Sequence, residues 1–256
     1  MVKISAYIIT LNEEKRLPKT LAALQKVADE IVVVDSGSTD NTVKIAQEYG
    51  AKVIFHEWVS YANQKNFAQN QCANEWLLMI DADEVLSDDL IKEIMEVKKQ
   101  PKYKVYKLRI GDMYPGFKAP RPFTKMYNLE RLYHRDYATM PPHLQTKDRI
   151  ALTQKTPVGQ LKGLVHHYSY LTLSHNIIKL NRFTDQVLIT ALEEGKKYSY
   201  FRLFTEFPRQ FCRYYFIKRQ FLNGRWGFAA SMNLAYFRFM KIAKWFEYQA
   251  LKKDKE

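Results

Sequence analysis

Four short apolar runs punctuate the first eighty residues: Ile4 to Thr10, Ile31 to Asp35, Lys52 to Phe55 and Trp76 to Ile80. They are rich in Val and Ile and lack polar alternation, which predicts strands covered on both faces. Between them Leu17, Leu21 and Leu24 recur at helical spacing, as do Val43, Ile45, Ala46 and Tyr49 behind the cap signals Ser38-Thr39-Asp40. Alternation of this kind predicts a mostly parallel α/β sheet with right-handed crossovers, the nucleotide-binding pattern. A further helical stretch runs from Asp88 to Gln100, and β-leaning segments follow at Tyr103 to Ile110 and Glu130 to Tyr133. Pro115, Pro120, Pro122, Pro141 and Pro142 lengthen the loops of that region. From about Leu171 the period is helical to the end, with Pro208 starting or kinking one helix. On one wheel Phe211, Tyr214, Tyr215 and Leu222 share a face opposite Arg209 and Arg213. On a later one Phe228, Met232, Ala235, Phe239, Ile242 and Phe246 form a stripe from which Lys241 and Lys244 point away.

Composition adds limits. At 256 residues, 46% hydrophobic, with 9 Gly and 9 Pro, the chain can bury a sizeable core, which excludes disordered, collagenous and disulfide-stapled classes. The longest uncharged apolar run, Trp226 to Phe237, is 12 residues, short of the ~20 a membrane-spanning helix needs. Cys72 and Cys212 lie far apart and form no ligand pair, so two buried thiols are expected. The first residues read directly as a strand rather than a secretory leader, and a cytoplasmic protein is expected. The net charge of +13 is uneven: residues 1–100 hold 11 Lys and Arg against 16 Asp and Glu, and the remainder holds 29 against 11. The basic part is interleaved with aromatics and would draw polyanions, whether nucleic acid, phospholipid headgroups or phosphorylated saccharides.

The chemistry sits at strand ends. Ligands of open α/β sheets bind beyond the carboxyl ends of the strands, and these ends read Thr10-Leu11-Asn12-Glu13-Glu14, Asp35-Ser36-Gly37-Ser38-Thr39-Asp40 and Asp81-Ala82-Asp83-Glu84. An Asp-x-Asp on extended chain sets two carboxylates on one side, where they repel unless a cation neutralises them. Mg²⁺ or Mn²⁺ would do so, using one or two protein carboxylates and filling its other positions with phosphate oxygens and water. Neither Gly-rich phosphate loop is present, which argues against a dinucleotide enzyme or a P-loop NTPase.

With Ile8-Ile9 before them and Gln64-Lys65-Asn66 between, these motifs resemble the family 2 inverting glycosyltransferases of GT-A fold. The resemblance is strongest to the lipopolysaccharide core β-1,4-glucosyltransferase group. It continues through Glu130-Arg131-Leu132-Tyr133, Gly159-Gln160-Leu161-Lys162-Gly163 and His167-Tyr168-Ser169-Tyr170 into the C-terminal helices. It implies a GT-A catalytic domain over 1–170, with a nucleotide-binding half at 1–100 and an acceptor-side half at 101–170. A helical region, 171–256, would associate with membrane. It further implies a UDP-sugar donor and a lipid-linked saccharide acceptor. The inner core of a lipopolysaccharide precursor is expected, with a polyprenyl-linked or capsular glycan or a protein side chain as alternatives. The protein would work on the inner face of the inner membrane, against an anionic surface and without nucleic acid; a basic nucleic-acid-binding protein is the rival from another class.

By the same resemblance Thr10 and Glu13 line the nucleoside pocket, and Asp35 accepts hydrogen bonds from uracil or ribose, a task suited to a carboxylate, which offers only acceptors. Lys65 stands near the nucleotide or its diphosphate, or else is an exposed lysine. Asp81 approaches the ribose or the metal, Asp83 binds the metal, and His167 reaches the metal or the diphosphate. Inversion needs a general base across the donor from the metal. His143 is the candidate by position, although Leu144 follows where the group carries an acid; Asp148 is the other candidate and Asp136 a weaker one.

Overall fold

The computed structural model describes residues 1–124, 126–141, 149–170 and 172–253. The chain forms two compact units, Met1–Met113 with Met126–Ser169, and Tyr114–Lys125 with Tyr170–Glu256.

In chain order the first unit contains β1 (Ile4–Thr10), α1 (Leu17–Leu24), β2 (Glu30–Asp35), α2 (Thr42–Glu48), β3 (Lys52–Phe55), α3 (Tyr61–Asn70), β4 (Trp76–Met79), β5 (Glu84–Leu86), α4 (Asp88–Lys99), β6 (Val105–Asp112), β7 (Tyr127–His134), β8 (Ala138–Thr139), β9 (Ala151–Leu152) and β10 (Val158–His167). Eight strands form one sheet in the order β3-β2-β1-β4-β7-β6-β10-β5, and β8 pairs with β9. The β3-β2-β1-β4 half is parallel throughout, as is β6 with β10; β7 runs against β4 and β6, and β5 against β10.

Alternate residues of the buried strands serve two cores. Ile4, Ala6 and Ile8 of β1 join Ile31, Val33, Trp76 and Leu78 under Leu17, Leu21, Ala46 and Ile94 of three helices. Tyr7, Val32, Val34, Leu77 and Met79 face the other way, with Ala68 of α3. Each Ile, Leu, Val and Met side chain among them contributes about 1.5–3 kcal/mol by leaving water, so this two-faced burial is what the uninterrupted Val and Ile runs require. A polar line crosses the second core: the Tyr7 and Tyr133 hydroxyls meet at 2.7 Å, Tyr133 donates to Gln69 Oε1 at 3.0 Å, and that oxygen also accepts from Met140 N–H at 2.9 Å.

The expected strands and helices are present, with four further strands, β5, β8, β9 and β10. The strands β5 and β10 escape the apolar pattern, and β7 begins earlier than its apolar centre. In β10 the inward positions are Gly159, Leu161, Gly163 and Val165. A Cβ on Gly163 would lie 2.5 Å from the Leu90 backbone, so glycine is needed where an apolar residue would have announced the strand.

The second unit contains α5 (Leu173–Glu193), α6 (Tyr200–Cys212), a π-helical turn at Arg213–Ile217, a 3₁₀ turn at Gln220–Asn223 and α7 (Gly224–Lys253). Pro208 lies inside α6. Its α7 stripe differs from the wheel: Ala235 and Ile242 are buried as expected, but Phe228 and Met232 are exposed while Phe237 and Trp245 are buried. Both α5 and α6 pack on α7, so its covered side shifts along its 30 residues.

Candidate active site

The parallel register sets Thr10 beside Asp35 at the carboxyl ends of β1 and β2. Asp35 is 3% exposed. Its oxygens accept from Gly37 N–H at 2.8 Å, Ser38 N–H at 2.7 Å, the Ser38 hydroxyl at 2.5 Å and the Thr10 hydroxyl at 3.0 Å. The turn this enforces needs Gly37, whose φ is +98°. Further bonds knit the loops after β1 and β2: Asn12 N–H donates to Ser38 Oγ, Thr39 N–H to Asn12 Oδ1, and Glu13 N–H to Thr42 Oγ1. Glu13 holds Arg16 through both carboxylate oxygens at 2.6 and 2.5 Å. The pocket residues named from resemblance are therefore adjacent, and Thr10, Glu13 and Asp35 are all engaged with protein groups.

After β4 the chain places Asp81 and Asp83 on either side of Ala82 and gives each its own cations. Lys65 Nζ lies 2.6 Å from Asp81 Oδ1, and Arg131 bridges Asp81 at 3.3 Å and Glu84 at 3.2 Å. Arg16 donates to Asp83 Oδ2 at 3.1 Å, and His167 Nε2 faces Asp83 Oδ1 at 3.5 Å. The repulsion expected between the two carboxylates is thus offset by protein charge. Burial alone would raise the Asp81 carboxyl, but Lys65 and Arg131 hold it well below its usual range. Burial likewise opposes ionisation of Asp83, yet the His167 hydrogen bond and charge, with Arg16, bring it to about 2. Glu84 goes the other way: burial, with Asp81 adding to it, raises its carboxyl despite Arg131. Lys65 is 2% exposed, which removes the reading of it as an exposed lysine.

Two features escape the sequence. Asp112 pairs with His167 across the parallel β6–β10 ladder and accepts from its Nδ1–H at 2.9 Å. Burial would lower the His167 pKa, but its bonds to Asp112 and Asp83 raise it well above the usual value. Arg16, at the start of α1, reaches both Glu13 and Asp83; its signal is only a basic residue three positions after a strand-end acid. Thr20 Oγ1 donates to Ala82 O at 2.9 Å and Tyr168 N–H to Asp83 O at 2.8 Å, fixing the Asp-Ala-Asp turn from both sides.

These residues fit a divalent cation. Asp83 Oδ1 and His167 Nε2 are near enough for both to reach one ion with ligand distances of ~2.1 Å. Asp112 behind Nδ1 is the carboxylate partner that fixes the tautomer of a ligating histidine. Among the described residues no group of three or more His, Cys, Asp or Glu is placed around one such point, so substrate oxygens and water would complete the shell. His143 and Asp148 lie outside the described residues. Asp136 has an exposed carboxylate 3.7 Å from His134 Nδ1, and His166 is half-buried beside Val85 in the β5–β10 ladder.

Comparison with known proteins agrees with the motifs. The family described as Glycosyl transferase family 2 matches residues 5–158. An uncharacterized glycosyltransferase of Rickettsia typhi is 37% identical over 95% of this chain and 87% of its own. Lipopolysaccharide core biosynthesis glycosyltransferase LpsC of Rhizobium meliloti is 32% identical over 97% of this chain and 94% of its own. Among solved structures, S. aureus TarS in complex with UDP overlaps with a TM-score of 0.49 at 19% identity, over 73% of this chain and 65% of that one. On the family match and the full-length relatives, the chain belongs to glycosyl transferase family 2.

Proposed function

We propose that the protein is a metal-dependent, inverting glycosyltransferase that moves a hexose, glucose by preference, from a UDP-sugar to the inner core of a lipopolysaccharide precursor. The observation that carries the reading is the near end-to-end relation to LpsC, a lipopolysaccharide core biosynthesis glycosyltransferase. The Asp83–His167–Asp112 arrangement supports the metal-dependent part.

In this reading Asp83 and His167 would hold a divalent cation, which would supply positive charge to offset that developing on the leaving diphosphate. Asp112 would hold a proton on Nδ1, so that Nε2, which faces Asp83, is the nitrogen that would give up its proton to ligate the cation. Lys65 and Arg131 keep Asp81 ionised, ready to accept from a ribose hydroxyl. Asp35 with Thr10 shapes the turn against which the nucleoside packs, and Glu13 holds Arg16 beside Asp83. Removal of the acceptor proton falls to Asp148 or His143, in the acceptor-side half. The acceptor is lipid-borne, and the protein works peripherally at the inner face of the inner membrane.

The test is incubation with a panel of UDP-sugars and lipopolysaccharide precursors truncated at successive core residues. UDP release with a mass gain of one hexose on an inner-core acceptor, in β-configuration by NMR from an α-linked donor, is expected. Transfer only to polyprenyl-linked or protein acceptors would overturn the acceptor assignment.

A further inference from the structure

Helix α6 is inside out. Its most buried side chains are Glu206, 1% exposed, and Gln210, 4% exposed, whereas Phe201 and Phe204 are each 76% exposed. At 100° per residue, Phe201, Phe204, Pro208 and Cys212 fall within about 80° of arc, centred opposite Glu206 and Gln210. Pro208 and Cys212 are exposed as well. The buried side is satisfied within the helix itself: Glu206 accepts from Arg209 at 2.8 Å, from Arg202 at 3.2 Å and from Gln210 Nε2 at 2.9 Å. The π-helical turn that follows adds Phe216 and Ile217, 58% and 76% exposed.

Charge identifies what covers this face. From Lys196 to Arg225 the chain carries eight Lys and Arg and a single acid, Glu206, which is already buried and paired. Exposed aromatics set among cations that outnumber acids eight to one are the composition of a helix that lies in a membrane interface, and no described helix is long and apolar enough to cross a membrane.

We propose that the outward face of α6 and the following turn dock on an anionic phospholipid bilayer, with Phe201, Phe204, Phe216 and Ile217 entering the headgroup region and Arg213, Lys218 and Arg219 meeting lipid phosphates. The surface is the one a lipid-borne acceptor occupies, and to that extent the proposal deepens the reading above; its evidence is the face itself.

The test uses the full chain and extruded vesicles of phosphatidylcholine, with and without phosphatidylglycerol. Cys72 is buried as expected, but Cys212 is exposed rather than buried, so an environment-sensitive fluorophore placed on Cys212 reports directly on the face. Sedimentation with the anionic vesicles, weakened by raising salt from about 0.1 M to about 0.5 M, and a blue shift of the Cys212 probe are expected. Phe201→Ser with Phe204→Ser lowers the partition constant by about ten-fold or more. Arg213→Gln with Arg219→Asn lowers it by roughly five-fold per charge, on anionic vesicles alone. These side chains are exposed, and circular dichroism checks that each variant is folded. Wild-type protein that stays in the supernatant overturns the proposal, as does partitioning unchanged by the Phe pair. So does a wild-type dimer that the Phe pair converts to monomer without vesicle binding, which would assign the face to a second copy. UDP titration of the same preparations without vesicles reads the nucleotide site separately, so failure of the glycosyltransferase reading would be distinguished from failure of this one.

Discussion

Replacing Lys65 by Met removes the nearer of two cations that hold Asp81. At 2.6 Å the pair's gross attraction is about 6 kcal/mol at an effective dielectric of ~20, most of it offset by the cost of desolvating both ions. Breaking a fully buried pair from one side costs ~3–5 kcal/mol. Asp81 is 27% exposed at its side chain and keeps Arg131 at 3.3 Å, so a loss of about 2 kcal/mol at neutral pH is expected. Because Lys65 and Arg131 depress the Asp81 carboxyl, its contribution is complete above the unfolded carboxyl value of about 4 and fades as pH falls through the folded value. The wild type therefore loses up to ~1.4 kcal/mol per pH unit from this group below about pH 4. The variant, whose Asp81 titrates nearer its ordinary value, loses less, and the gap between them narrows. Urea unfolding of wild type, Lys65→Met, Asp81→Asn and the double variant at neutral pH and near pH 3 measures this as a double-mutant cycle. A coupling below about 0.5 kcal/mol at neutral pH, the additivity of independent sites, or a gap that does not shrink in acid, would refute the argument.

Three further outcomes are expected. Asp112→Asn should weaken Mn²⁺ binding about 10–100-fold, measured by electron paramagnetic resonance titration with UDP present, because the residue fixes a ligand rather than acting as one. Asp35→Ala removes the acceptor of four hydrogen bonds and should cost about 2–3 kcal/mol, with faster hydrogen exchange at the Gly37 and Ser38 amides. Gly163→Ala drives a Cβ against the Leu90 backbone at 2.5 Å and should cost about 1–3 kcal/mol, visible as a lowered thermal midpoint.

Much of this site is legible in the sequence because strand ends announce themselves: an apolar run stops, and Thr10, Asp35, Asp81 and Asp83 follow. What carries the charges is less so. Lys65 is covered because α3 lays it against the end of β4, which a pattern of Asn, Gln and Ala does not signal. The Asp112–His167 contact joins residues 55 apart through strand register, and although a motif marks His167, nothing local marks Asp112. The strand β10 was hidden by its own packing, since Gly159 and Gly163 stand at inward positions where neighbours leave no room for a side chain. The C-terminal wheels find amphipathic helices but cannot say which apolar residues turn inward. In α6 ion pairs within the helix let Glu206 lie buried while Phe201 and Phe204 are exposed, and in α7 packing by two helices shifts the covered side along its length.

The central claim is a nucleotide-sugar site whose cation rests on Asp83. Calorimetric titration of UDP into the protein with and without Mn²⁺, repeated on Asp83→Ala, tests it most directly. Binding to wild type that strengthens with Mn²⁺, and loses that dependence in the variant, is the predicted result. Failure of UDP to bind wild type under either condition, or Mn²⁺-dependent binding that survives in Asp83→Ala, would contradict the account.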